Sequence, residues 1–205
     1  MKNCQFQSLK QAGFFLKQQI EQDLQRQIKL HDHAVLILPG GNSIKLFFPY
    51  LTSLDVPWNK ITIGLSDERC VPLDHKMSNE KQLRECFLDL LPDYNYCPLN
   101  QQLITKIQEF PPVTVLSMGE DGHLASLFPE EYEEWKDMII GVYKTKNKSP
   151  DRVSLSEIAL MCSQVIYILA VGKDKNHFLD EITKSSFCLN SIYKNSYLIR
   201  VTNAK

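Results

Sequence analysis

The chain has 205 residues, with 23 Lys+Arg against 24 Asp+Glu and a formal net charge of −1. This balance gives no broad field for nucleic acid or an anionic membrane, so any anion site must be local. No apolar run approaches the roughly 20 residues of a spanning helix, and MKNCQFQSLKQ lacks the apolar centre of a secretory signal. The six cysteines include no C-x-x-C pair, which fits reduced, mostly buried thiols in a cytoplasmic protein better than a disulfide framework.

Leu9, Gly13, Leu16, Ile20, Leu24 and Ile28 recur at spacings of three or four among polar residues, which predicts an amphipathic helix over 8–30. AVLIL at 34–38 is a continuous apolar run, as expected of a strand covered on both faces. Pro39-Gly40-Gly41 ends it, and Asn42-Ser43 offers a helix cap before Ile44-Lys45-Leu46-Phe47-Phe48. The pattern repeats, with a strand predicted at 60–65 (KITIGL), a polar loop at Ser66-Asp67-Glu68-Arg69, and a helix over 78–91 opened by Ser78 or Asn79. A third strand is predicted over 113–118, with short ones over 138–143 and 152–155. QVIYILAV at 164–171 is the strongest strand of all, followed by Gly172 and a helix over 174–183, and residues 197–202 alternate as a last strand should. The Phe14-Phe15 and Phe47-Phe48 pairs are expected in the core.

Strands alternating with helices imply an α/β fold, here one domain over 1–205 whose mainly parallel, doubly wound sheet carries helices on both faces. Ligands of such sheets collect at the carboxyl ends of the strands. Four polar loops stand there, GGNS, SDER, GEDGH and GKDK. Gly40 and Gly41 let the backbone approach a ligand, and the first N–H groups of a following helix suit a phosphate. Neither a Walker loop nor a G-x-G-x-x-G is present. Arg69 offers a fork for phosphate oxygens and Asp67 a carboxylate near the reacting carbon. Arg152 and Lys175 are further cations.

A loop histidine by itself is an ordinary feature. His123, however, follows a buried strand, stands beside Asp121 and two glycines, and has three other polar loops for neighbours. An imidazole there can take a proton from water at neutral pH, with a carboxylate to orient it. His31-Asp32-His33 has metal-binding residue types without a third ligand, and no G-x-S-x-G elbow marks a serine nucleophile.

Three stretches together resemble the glucosamine-6-phosphate isomerase/6-phosphogluconolactonase family. GGNSIKLF is similar to the family's G-G-S-T-P-x-x-L-Y, SDERCVPLDHKMSN to D-E-R-x-V-P…S-N, and MGEDGHLASLFP to G-M-G-x-D-G-H-T-A-S-L-F-P. SPDRVSLS and VGKDK are weaker matches to P-P-x-R-[IV]-[ST]-L and G-x-x-K. Asn42-Ser43-Ile44 departs from the usual Ser-Thr-Pro. The deaminase branch resembles D-E-Y and D-G-H-I-A-F-N-E-P, so Asp67-Glu68-Arg69 and Ser126 side with the lactonases.

The resemblance implies a three-layer α/β/α, Rossmann-like fold and hydrolysis of 6-phospho-D-glucono-1,5-lactone in the pentose phosphate pathway. It implies a phosphate site at Gly40, Gly41, Asn42, Ser43, Arg69, Arg152 and Lys175, and His123 as base with Asp67 or Asp121 as its helper. It implies a small-molecule sugar phosphate as partner, without cofactor, metal, nucleic acid or membrane, and a monomer or weak homodimer. An amino-sugar-phosphate deaminase/isomerase and a non-catalytic sugar-phosphate-binding protein are the alternatives.

Overall fold

In the computed structural model, which describes residues 1–131, 137–142, 150–172, 178 and 188–202, the chain opens with an unpredicted strand, β1 (Lys2–Phe6). It is an edge strand, and only Cys4 and Phe6 turn apolar side chains toward the core. Helix α1 (Leu9–His31) follows as predicted; the Ser8 side chain caps it by accepting from the Gln11 N–H, and Asp32 ends it in the left-handed region. Its Ala12, Leu16, Ile20 and Leu24 stripe is fully buried. Then come β2 (Ala34–Leu38), the one-turn helices α2 (Asn42–Lys45) and α3 (Phe48–Leu51), and β3 (Ile61–Leu65).

Two predictions need correction from this point on. The polar loop at 67–69 is a strand, β4 (Asp67–Arg69), paired antiparallel with β8 (Arg152–Leu155), which pairs in turn with β7 (Ile139–Val142). The helix expected to reach Leu91 stops earlier: α4 (Asn79–Cys86), capped by Ser78, gives way to a 3-10 turn over Leu88–Leu90. A short β5 (Asn95–Tyr96) and an unpredicted α5 (Gln101–Glu109) lead to β6 (Val113–Ser117). The remainder is α6 (Glu157–Met161), β9 (Val165–Val171), α7 (Asn190–Lys194) and β10 (Ser196–Val201). The helix predicted over 174–183 lies outside the described residues.

The main sheet has seven parallel strands in the order β1-β10-β9-β6-β2-β3-β5. Alternation along each strand feeds two cores. Leu36, Leu38, Val113, Val115, Tyr167 and Leu169 pack with the α1, α3 and α4 side. Val35, Ile37, Leu116, Ile166 and Ile168 pack with the α5, α6 and α7 side. The three-layer α/β/α arrangement follows. Phe47 and Phe48 join the first core as expected and Phe15 packs partly buried against it, but Phe14 is 56% exposed, with its ring edge-on to Tyr50.

The strand order positions the site. From β2 the chain moves outward to β3 and β5, then returns to the other side of β2 for β6 and continues to β9 and β10. The loops after β2 and β6 therefore leave the sheet in opposite directions, opening a crevice between them. No described helix is long and apolar enough to cross a membrane.

Candidate active site

Three of the four predicted loops meet in that crevice. One cleft is lined by Gly40, Gly41, Asn42 and Ser43 after β2, by Asp67 and Arg69 of β4, and by Gly119 and His123 after β6, with Arg152 of β8. The fourth loop, with Lys175, lies outside the described residues.

The turn after β2 depends on its glycines. Gly41 has φ +92° and serves as the N-cap of α2 without a side-chain cap bond. A side chain is strained at that φ. The predicted cap at Asn42-Ser43 is thus corrected by one position, since both residues fall inside the first turn. Gly40 has a different reason, because a Cβ there would overlap the Asn79 side chain. Gln82 of α4 ties the turn down by donating to the Gly41 carbonyl at 2.9 Å.

The D-E-R segment divides its labour among three residues. Glu68 does not pair with the neighbouring guanidinium. Its carboxylate accepts from the N–H groups of Asn79 and Glu80, each at 2.7 Å, from Arg69 N–H at 2.6 Å and from Ser78 Oγ at 3.1 Å. A negative charge on the first N–H groups of α4 favours the helix. Asn79, so anchored, accepts from Arg69 Nη1 and donates to the Asp67 carbonyl at 2.8 Å. Glu68→Ala is expected to cost about 2–3 kcal/mol in chemical denaturation and, by freeing Arg69, to raise KM more than it lowers kcat. Unchanged stability would show that α4 is held by other means.

Arg69 and Arg152 stand directly opposite in the β4–β8 pair. Like charges so placed repel. Burial and then Arg69 push the Arg152 guanidinium below its ordinary range, while Asp67 pulls the other way. Asp67 Oδ2 is 3.9 Å from Arg152 Nη1 and accepts from Ser126 Oγ at 2.7 Å; Oδ1 accepts from Ser66 Oγ at 3.0 Å. One buried carboxylate beside Arg152 and a second guanidinium on Arg69 line the same cleft, which leaves it locally positive and fit for an anion.

His123 lines the same cleft. Its Nδ1 is 2.5 Å from Asp121 Oδ1, which also accepts from the His123 N–H at 3.2 Å. Asp121, not Asp67, is therefore the carboxylate on the imidazole, a choice that the residues alone left open. The Phe128 ring lies 4.7 Å from the imidazole centroid and 5.4 Å from the Arg152 guanidinium carbon, so one aromatic backs both groups. Tyr193 Oη donates to the Gly122 carbonyl at 3.0 Å and pins the loop from below. Burial, then the Asp121 charge, raises the Tyr193 phenol so that it stays a donor. Gly119 packs so closely on the imidazole that a Cβ would overlap it.

Asn79, Ser117, Gly119 and Ala125 line the cleft, and Ser126 bonds Asp67, although none of them is among the site residues expected from the sequence. The Ser-Asn pair opening α4 and the M-G before the histidine loop were the available signals. Among the described residues no group of three or more His, Cys, Asp or Glu could hold a metal.

The chain is 29% identical to the 6-phosphogluconolactonase of Helicobacter pylori J99 over 197 residues, covering 89% of this chain and 86% of the relative. It is 28% identical to that of Thermotoga maritima over 186 residues, 84% of each. Among solved structures, the 6-phosphogluconolactonase of Thermotoga maritima superposes with a TM-score of 0.82 at 25% identity, covering 98% of this chain and all of that one. That of Shewanella baltica superposes with a TM-score of 0.86 at 23% identity, over 99% of this chain and 98% of that one, a likeness of fold. The family profile described as glucosamine-6-phosphate isomerases/6-phosphogluconolactonase matches residues 10–188, and the chain belongs to that family.

Proposed function

We propose that this protein hydrolyses 6-phospho-D-glucono-1,5-lactone to 6-phospho-D-gluconate, the step of the pentose phosphate pathway for which its named relatives are called 6-phosphogluconolactonases. The observation that carries the reading is one cleft lined together by a glycine turn, two arginines and a carboxylate-paired histidine. The phosphate lies on the Gly40–Ser43 backbone and on Arg69 and Arg152, with Lys175 a further candidate, and this tether fixes the lactone carbon relative to His123.

Asp121 accepts from Nδ1–H, which leaves the Nε2 lone pair as the base. Nε2 takes a proton from water as the oxygen adds to C1; the tetrahedral intermediate collapses, the C1–ring-oxygen bond breaks, and His123 returns the proton to that oxygen. Asp67 anchors Ser126 and Arg152 and holds the anion wall together. A cyclic ester is already electrophilic, so a base contributing about 10²–10⁴-fold, with positioning, suffices.

The test is a lactonase assay on freshly prepared substrate, corrected for spontaneous hydrolysis. The expected result is catalysed opening of the phosphorylated lactone with no ammonia released from glucosamine 6-phosphate. Ammonia release would place the chain with the deaminases, and binding of 6-phosphogluconate without turnover would make it a binding protein.

A further inference from the structure

We infer that the Ser117 hydroxyl is a ligand of the substrate's phosphate group, an assignment that rests on the cleft being a sugar-phosphate site. Ser117 ends β6, two and four residues beyond Val115 and Val113, which both pack into the α1-side core. The two-residue period of a strand turns Ser117 to that same face. β6 runs parallel to β2 through Leu36↔Val113 and Ile37↔Thr114, so Ser117 leaves the sheet at the same end as the Gly40 turn. Both residues line the cleft.

Ser117 Oγ is buried and has no hydrogen-bond partner among the described residues, and the same holds for the Nε atoms of Arg69 and Arg152. A buried hydroxyl without a partner is a cost that a fold does not retain without reason. Glycine or alanine would avoid that cost, and the family pattern G-M-G-x-D-G-H has glycine where this chain has Ser117. Three unmatched polar atoms on residues of one cleft, two of them on guanidinium groups, are complementary to one polyanionic oxygen cluster. A phosphate can only accept from Ser117 O–H, and it is the group the Gly40 turn is shaped to hold.

The test is titration of wild type, Ser117→Ala and Ser117→Gly with inorganic phosphate and with 6-phosphogluconate, alongside thermal melts and lactonase kinetics. Both variants are expected to weaken phosphate binding about tenfold, the worth of one charge-assisted hydrogen bond. KM for the lactone should rise by a similar factor, exceeding any change in kcat. The ligand-free melting temperature of Ser117→Ala should equal or exceed that of wild type, because the unmatched hydroxyl is gone.

Unaltered phosphate affinity overturns the assignment, as does failure of the wild type to bind phosphate. A variant weakened only toward 6-phosphogluconate moves the contact to the sugar. A fall in the ligand-free melting temperature makes the residue structural. A wild type that binds phosphate but opens no lactone refutes the lactonase reading alone, and the titration still decides Ser117.

Discussion

His123→Ala is expected to lower kcat for the phosphorylated lactone by about 10²–10⁴-fold, the range of a positioned general base, while KM changes little. The split follows from the geometry. The imidazole's hydrogen bond goes to Asp121 and not to Arg69, Arg152 or the Gly40 turn, so its removal leaves those groups in place. Among the described residues it holds no buried charge network together: its Nδ1 meets Asp121 and its ring lies tilted against Phe128. Asp121→Asn should reduce kcat in the same sense, as the amide no longer fixes the tautomer that frees Nε2. A His123→Ala enzyme with near wild-type kcat would refute the assignment of the base.

What the sequence made legible was local. AVLIL, VTVLS and QVIYILAV are apolar on both faces because both faces are covered, and that pattern survives without knowledge of the partners. The glycines around Gly41 and His123 announce turns wherever they occur. What stayed hidden was made by distant partners. Asp67-Glu68-Arg69 has no apolar residue to alternate; it is a strand because Arg152–Leu155 supplies the opposite ladder. Glu68 stands next to Arg69 in the sequence, yet its carboxylate is used by the start of α4, 10 to 12 residues on. β1 pairs with β10 from the far end of the chain, which no short window can register. Helix α5 is a different case: the Asn100 cap and the Leu103, Ile104 and Ile107 stripe were available to be read.

Gly119→Ala should cost catalysis nearly as much as losing the histidine, although the substitution adds one methyl group and removes no functional atom. Gly119 has no positive φ, so alanine's backbone is not strained there. The conflict is local: the new Cβ would overlap the His123 ring and stand 2.8 Å from Asp121 Oδ1. The ring has Phe128 beside it and Asp121 on Nδ1, so it must leave the carboxylate to make room. Displacement of a reacting group by about 1 Å can cost on the order of 10²-fold in rate, and overpacking about 1–3 kcal/mol of stability. The phosphate wall is untouched, so KM should move far less than kcat. A double variant separates this cause from general damage. With His123→Ala the ring is gone and the methyl has space, so Gly119→Ala should then add little further loss of kcat, and most of its stability cost should disappear. Losses that multiply would mean that Gly119 acts on something other than the imidazole, and the close packing of glycine on histidine would no longer account for the residue.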